Sequence, residues 1–207
     1  MSLLQFQNFE ISWRRQKPCK GISEVLTKMA KENFNTAKIV TTWECNLSCN
    51  YCCNRDLELR ATFKPITQQE LQDLPHSDFE ITGGEPMLPS RFSQTICVLD
   101  WLPPNRNVYL YTNGMYFGNS RAGLAYGHIL KRHGVRGINV GYHGLPLDWK
   151  ALRKVNSIIP IRLWIKEDEV EKWLDETPYC GFEIRRWNIG DCYAITTDRY
   201  VLDVTRK

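Results

Sequence analysis

The first feature that could support chemistry is a group of closely spaced cysteines. Cys45, Cys49 and Cys52 have the spacing C-x3-C-x2-C. With eight cysteines among 207 residues, such a triple is expected about 0.01 times by chance. Thiolates are soft ligands that suit iron–sulfur clusters and zinc. The spacing therefore predicts a metal centre held by these three residues.

The number of ligands helps to distinguish the two metals. Structural zinc sites take four ligands, usually as two spaced pairs, and the sequence has no second Cys or His pair at such spacing. Three thiolates suit a [4Fe–4S] cluster, because they hold three irons and leave the fourth open to an outside ligand. A zinc-binding module and an iron–sulfur electron carrier remain the non-enzymatic alternatives.

A glycine pair follows about thirty residues later, directly after the candidate strand at residues 79–82. It begins the run Gly83-Gly84-Glu85-Pro86. Glycines let a backbone approach a ligand without an intervening side chain, and an adjacent acid can accept hydrogen bonds from a cationic amine. On its own, such a pair indicates only a turn. Its position after the cysteine motif makes it a candidate binding loop.

Together the two motifs resemble those of the radical S-adenosylmethionine (SAM) superfamily, whose cysteine motif has an aromatic residue where Tyr51 stands. The resemblance covers about residues 38–165. It implies that the three cysteines bind a [4Fe–4S] cluster and that SAM chelates its open iron. It also implies that Gly83, Gly84 and Glu85 contact the methionyl end of SAM, with Tyr51 beside them.

Three further residues enter the expected SAM site through the same resemblance. Asn113 belongs to the Thr-Asn-Gly turn that is common in the superfamily. Asn139 and His143 flank the end of the fourth predicted strand, where the superfamily usually places a SAM carboxylate or ribose contact. Strand ends of the same polarity line one face of a barrel, so these residues are expected to converge with the cysteine motif.

The segments that must position these residues alternate between β-branched or aromatic runs and helical spacing. This alternation predicts parallel βαβ units in an α/β fold. Six strands are too few for a closed eight-stranded barrel, so the sequence predicts a partial, open (β/α)6-type barrel with parallel strands. The candidate strands are residues 38–43, 79–82, 107–112, 137–142, 161–165 and 182–187.

Capping patterns predict where the intervening helices begin and end. Thr67, Ser90, Ser120 and Asp148 are candidate N-caps, and Gly134 is a candidate left-handed stop. Further helices are expected near residues 22–31 and 168–175. The predicted organisation is an N-terminal extension over residues 1–37, a radical SAM-like core over 38–189, and a tail over 190–207 that adds a strand pair.

Composition predicts a soluble, cytoplasmic protein. The content of 43% hydrophobic and 12% aromatic residues is sufficient for a buried core. There is no export signal and no apolar run of about 18 residues, so neither disulfide formation nor a membrane partner is expected. The net charge of +4 is too small to predict nucleic-acid binding.

The resemblance also implies an activity and its partners. A reductant such as flavodoxin or ferredoxin supplies one electron, SAM is cleaved to a 5′-deoxyadenosyl radical, and the radical abstracts hydrogen from a peptide or a small metabolite. An activase of a glycyl radical enzyme is an alternative, although such activases usually carry His where Cys53 stands. A second cluster formed by Cys180 and Cys192 with Cys19 or Cys53 is a further alternative. Cys97 lies in an apolar helical segment and is expected in the core.

Overall fold

The computed structural model describes seven segments of the chain. These are residues 36–50, 52–55, 57–118, 120–144, 146–166, 181–187 and 199–205. Several predicted features lie outside these segments. They are the helices expected near residues 22–31 and 168–175, and the residues Cys19, Tyr51, Cys180 and Cys192. None of the described helices is long and apolar enough to cross a membrane.

The described strands form one sheet of eight strands, and every neighbouring pair is parallel. The strand order is β2-β8-β1-β3-β4-β5-β6-β7, with β2 and β7 at the two edges, so the sheet is open. This confirms the predicted parallel, open α/β architecture, and all six predicted strands are present. In chain order the strands are β1 Thr36–Thr42, β2 Lys64–Pro65, β3 Asp78–Gly83, β4 Asn107–Thr112, β5 Val135–Tyr142, β6 Ile161–Lys166, β7 Glu183–Trp187 and β8 Arg199–Asp203.

Two of these strands were not predicted in their observed form. The two-residue strand β2 is too short to produce a periodic pattern. The tail was expected to add a strand pair, but its described residues form one strand, β8. This strand inserts between β1 and β2 and pairs in parallel with both. Its partners are far away in sequence, so local patterning could not identify them.

Five α-helices are described: α1 Leu57–Thr62, α2 Gln68–Gln72, α3 Phe92–Trp101, α4 Ser120–Arg132 and α5 Trp149–Asn156. The capping box predicted at Thr67 is present, with Thr67 Oγ1 accepting from the Glu70 amide and Glu70 accepting from the Thr67 amide. The side chain of Asp148 caps α5 by accepting from the amide of Ala151 at 2.9 Å. Gly134 follows α4 with a φ of +86°, as its predicted role as a stop requires.

Two predictions about α3 are wrong. Ser90 was expected to cap it, but the N-cap is Arg91, which makes no side-chain capping bond, because a backbone-bonded turn from Leu88 to Arg91 leads into the helix. Cys97 was expected in the core but is exposed. The buried side of α3 carries Thr95, Val98 and Leu99, and a rotation of about 100° per residue directs Cys97 away from it.

The two faces of the sheet differ in chemistry. One face is apolar and packs against the helices, as the Thr41–Thr95 contact between β1 and α3 shows. A row of buried aliphatic residues crosses this face in register: Ile39, Ile81, Leu110, Ile138 and Ile161. Each such side chain stabilises the fold by about 1.5–3 kcal/mol.

We call the opposite side of the sheet the inner face. Side chains alternate between the two faces along each strand, so the polar and aromatic residues between the core positions share the inner face. Several of these residues contact one another. The Tyr111 hydroxyl donates a hydrogen bond to Glu80 Oε1, and Lys38 Nζ lies 3.6 Å from Glu80 Oε2. The inner face carries Lys38, Glu80, Tyr109, Tyr111, Asn139, Arg162 and Trp164.

Candidate active site

The cysteine loop follows directly from the end of β1. Cys45, Cys49 and Cys52 are all free thiols, the first exposed and the other two half-buried. A turn joins the second and third, because the Cys52 amide donates to the Cys49 carbonyl oxygen at 3.2 Å. The Leu47 amide donates to Cys45 Sγ at 3.4 Å. A backbone N–H aimed at sulfur is a contact that stabilises a metal-bound thiolate.

The surroundings of Cys45 disfavour the negatively charged thiolate form of its side chain. Although the surface of Cys45 is exposed, partial desolvation of its sulfur raises the pKa of the thiol. The Leu47 N–H acts in the opposite direction, whereas Glu85 and the two other cysteines add to the rise in pKa. A bound cation would offset this charge and favour the thiolate form of Cys45.

No group of three or more His, Cys, Asp or Glu side chains in the described residues is close enough to hold one metal ion. The assignment of a cluster to these cysteines therefore rests on their spacing and their free thiols. The donor set fits such a cluster, because thiolates are its usual ligands.

The glycine turn after β3 packs against the beginning of the cysteine loop. The Gly84 amide donates to the Thr42 carbonyl oxygen, and the Glu85 amide donates to that of Glu44, each at 2.7 Å. Gly83 has a φ of +139°, and a Cβ on either glycine would overlap the Thr42 or Glu44 carbonyl oxygen. The glycines are thus required for contact between two backbones, in addition to the ligand approach predicted from the sequence.

Glu85 is fully buried and joins two strand ends. Its carboxylate accepts hydrogen bonds from Thr112 Oγ1 at 2.7 Å, from the Asn113 amide at 2.7 Å and from the Met87 amide at 2.9 Å. Burial raises the pKa of this carboxyl group despite the three hydrogen bonds, which act to lower it. Glu85 therefore holds the turn after β3 against the turn after β4, and its contact with SAM stays a prediction.

The turn after β4 is bonded to the cysteine loop. Asn113 Nδ2 donates to Asn46 Oδ1 at 2.9 Å, and Asn46 Nδ2 donates to Met115 Sδ at 3.2 Å. Gly114 has a φ of +78°, which explains the glycine in the Thr-Asn-Gly turn. The three predicted motifs thus meet at one edge of the sheet. The linking role of Asn46 was missed, and its only sequence signal is its position beside Cys45.

The two remaining predicted residues lie at different depths. Nδ1 of His143, just after β5, is 4.0 Å from Cys49 Sγ, so this side chain belongs to the cluster loop region. Asn139 lies within β5 on the inner face, only 3% exposed. The structure therefore groups His143 with the cysteines, whereas Asn139 lies about one side-chain repeat deeper than the strand end.

A tryptophan anchors the cysteine loop to the rest of the sheet, and the sequence did not predict it. The indole of Trp43 donates to Asp203 Oδ2 at 3.1 Å. Its ring stacks on Phe63 at 5.7 Å, and the Arg60 guanidinium lies 4.2 Å from its centre. Asp203, at the end of β8, is fully buried. The residue that begins the loop is thus held by α1, β8 and the segment that joins α1 to β2.

Comparison with known proteins finds distant relatives of this chain. The GTP 3',8-cyclase of Nostoc punctiforme is 30% identical over 114 residues, covering 50% of this chain and 33% of that protein. A probable GTP 3',8-cyclase of Methanocella arvoryzae is 29% identical over 172 residues, covering 69% and 52%. That of Alkaliphilus metalliredigens is 28% identical over 146 residues, covering 66% and 44%.

The chain is thus distantly similar to the GTP 3',8-cyclases. Separately, the cysteine and glycine loops, whose motifs resemble those of the radical SAM superfamily, meet in the structure. No family model matches the chain, and it spans between a third and about half of the length of these curated relatives. The similarity therefore does not carry over the substrate of the cyclases.

Solved structures add only a weak likeness to this chain. BtrN in complex with AdoMet and 2-DOIA aligns over 79% of this chain and 83% of that one, with 15% identity and a TM-score of 0.44. Streptococcus suis SuiB aligns over 83% and 54%, with 11% identity and a TM-score of 0.37. These TM-scores are too low to carry an argument about the functional site.

Proposed function

We propose that the chain is a radical SAM enzyme whose Cys45, Cys49 and Cys52 hold a [4Fe–4S] cluster. When bound, the cluster supplies one electron that cleaves SAM to methionine and a 5′-deoxyadenosyl radical, which abstracts hydrogen from the substrate. The observation that supports this proposal is the direct bonding of the glycine turn and the Thr-Asn-Gly turn to the loop that carries the three thiols.

In this proposal the residues of the chain bind the cluster and orient SAM beside it. The three thiols are the cluster ligands, and the Leu47 N–H stabilises negative charge on Cys45. Gly83 and Gly84 offer a backbone free of side chains beside the cysteine loop, where the methionyl end of SAM would lie. Glu85 keeps that turn in place. The remaining candidate SAM contacts are Tyr51, Asn113 and His143, whereas Asn139 lies deeper on the inner face.

The partners in this proposal are an electron donor and a substrate. The exposed position of Cys45 favours electron transfer from a docked carrier such as flavodoxin or ferredoxin. The substrate is a peptide or a small metabolite. The names of the three relatives concern GTP, which supports the small-metabolite class without identifying the molecule.

The test is the metal content of protein purified without oxygen. We expect about four irons and four sulfides per chain, and loss of most of the iron when Cys45, Cys49 or Cys52 is replaced by Ala. The matched control is Cys97→Ala, which removes an exposed free thiol from α3 and should leave the iron content unchanged.

The same preparations can be tested for SAM cleavage. Reduced wild-type protein should release 5′-deoxyadenosine from SAM, and the three cysteine variants should not. Stoichiometric zinc, or full iron content in any of the three variants, contradicts the cluster assignment. A normal cluster without any 5′-deoxyadenosine, even with reductant and SAM present, indicates an electron carrier instead of an enzyme.

A further inference from the structure

An unpartnered amide lies on the inner face, deeper than the cysteine loop. The side chain of Asn139 is only 3% exposed, and its Oδ1 accepts no hydrogen bond from any residue that the structure describes. Leaving a buried polar group in this state is unfavourable, and buried side-chain oxygens in native proteins are nearly always paired. The arrangement indicates a donor that is supplied from elsewhere.

A second unpartnered group lies on the neighbouring strand. Nε1 of Trp164 is buried and donates to no acceptor within the described part of the chain. Asn139 pairs in register with Arg162, and Gly141 pairs with Trp164. Asn139 and Trp164 therefore lie on the same face of adjacent strands, one side-chain repeat apart. The residue opposite Trp164 is Gly141, and the His143 ring covers it, with Nε2 3.2 Å from the position of an added Cβ.

An aromatic ring adjoins this pair, and the described charged residues beside it form ion pairs. The Tyr111 ring lies 5.9 Å from that of Trp164. On the inner face Lys38 lies 3.6 Å from Glu80, and Arg162 lies 2.9 Å from Glu183. Arg185, which pairs in register with Trp164, shares the Glu183 carboxylate with Arg162. These paired cations would have to break their ion pairs to bind a phosphate. The site thus favours a planar, uncharged ligand group over an anionic one.

We propose that Asn139 and Trp164 bind an amide or lactam group of the substrate. Such a group is planar and carries an N–H beside a C=O, so the N–H can donate to Asn139 Oδ1 and the oxygen can accept from Trp164 Nε1. The inference rests on the proposed function only in treating this ligand as the substrate. A nucleobase and a peptide both contain this group.

The experiment observes the Trp164 indole N–H directly by two-dimensional NMR of protein with isotope-labelled tryptophan, prepared without oxygen. Spectra are recorded without SAM and again after saturation with SAM, and each probe is added to both samples. Trp164→Phe keeps an aromatic ring but removes the donor, so it assigns the signal. Guanosine supplies a nucleobase lactam, N-acetylglycinamide supplies a peptide amide, and adenosine has neither. The indole signal of Trp101, at the end of α3, is the internal control.

We expect a saturable shift of the Trp164 signal with guanosine or with N-acetylglycinamide, and the responding probe identifies the source of the amide. Adenosine should cause no shift, and the Trp101 signal should stay constant. Asn139→Ala should weaken the binding of the responding probe about tenfold, as expected for one lost hydrogen bond.

Three results would overturn the inference. One is a Trp164 signal that responds to neither amide probe. Another is an equal response to adenosine. The third is a shift caused by SAM itself that abolishes the response to guanosine, which would assign the two residues to SAM. None of these depends on the iron content, so the inference can fail while the proposed function holds, and the cluster test can fail while the Trp164 signal still responds.

Discussion

The carboxylate of Glu85 receives three hydrogen bonds from two different turns, although the sequence suggested only a ligand contact. Glu85→Ala leaves the donors of Met87, Thr112 and Asn113 buried without this acceptor, so we expect the free energy of unfolding to fall by about 3 kcal/mol or more. Glu85→Gln keeps the shape and one acceptor oxygen and should cost less. Denaturant titration measures both values.

The SAM affinity of the same two variants separates the two roles of Glu85. If the side chain acts only by holding the turns together, Glu85→Gln should bind SAM nearly as well as the wild type. A stable Glu85→Gln protein with strongly weakened SAM binding supports the direct contact predicted from the sequence. Unchanged stability in Glu85→Ala contradicts the structural role.

His143 lies beside a sulfur that the sequence assigns to the cluster. Hydrogen bonds to cluster sulfurs raise the reduction potential, because they stabilise the more negative, reduced state. With His143 Nδ1 4.0 Å from Cys49 Sγ, His143→Ala should lower the potential by an amount on the order of tens of millivolts. A redox titration followed by electron paramagnetic resonance measures the shift.

The control for His143 is His128→Ala, which changes an exposed residue of α4. The reduction potential of the cluster in His128→Ala should equal that in the wild type. If His143→Ala keeps the wild-type potential while the cluster is fully assembled, the proximity of His143 to Cys49 has no effect on the metal centre.

At the scale of the elements, the glycine turn is the most restricted part of the site. Gly84→Ala places a Cβ against the Glu44 carbonyl oxygen, and backbone on both sides is fixed by hydrogen bonds. We expect the variant to lose both stability and iron, because the cysteine loop has to move away. Iron analysis and thermal unfolding test this expectation.

Gly134→Ala is the matched control for the glycine turn. Gly134 has a φ of +86° with nothing within 4 Å of an added Cβ, so the substitution introduces backbone strain of about 1 kcal/mol without a steric overlap. It should lower stability slightly and leave the iron content unchanged. Equal iron loss in both variants would show that stability alone, not the contact with Glu44, determines cluster retention.

The elements of the site were predictable because their signals are local. Apolar runs located β3, β4 and β5, and parallel polarity brought Gly84 and Asn113 to the same edge as Cys45. The contacts that hold them there were not predictable, since the Glu85–Thr112 and Asn46–Asn113 bonds depend on side-chain packing. Cys97 shows the same limit, because an apolar helix sequence alone did not reveal which side faces the core.

At the scale of the whole molecule, β8 completes the support of the cysteine loop. Asp203→Ala removes the acceptor of the Trp43 indole and, among the described residues, leaves the ring contacts with Phe63 and Arg60. We expect a lower iron content and faster cluster loss in air. Asp203→Asn is the control, because it keeps an acceptor oxygen and should retain more iron. Equal iron content in the wild type and Asp203→Ala contradicts the anchoring role.

The insertion of β8 between β1 and β2 also sets an order of events during synthesis. Asp203 is 160 residues beyond Trp43, and ribosomes add about 5–20 residues per second. Roughly 8 to 32 seconds therefore pass between the synthesis of the two partners. Throughout that interval the nascent cysteine loop has no Asp203 to hold its first residue. Delivery of iron to a fully anchored loop must follow translation of β8.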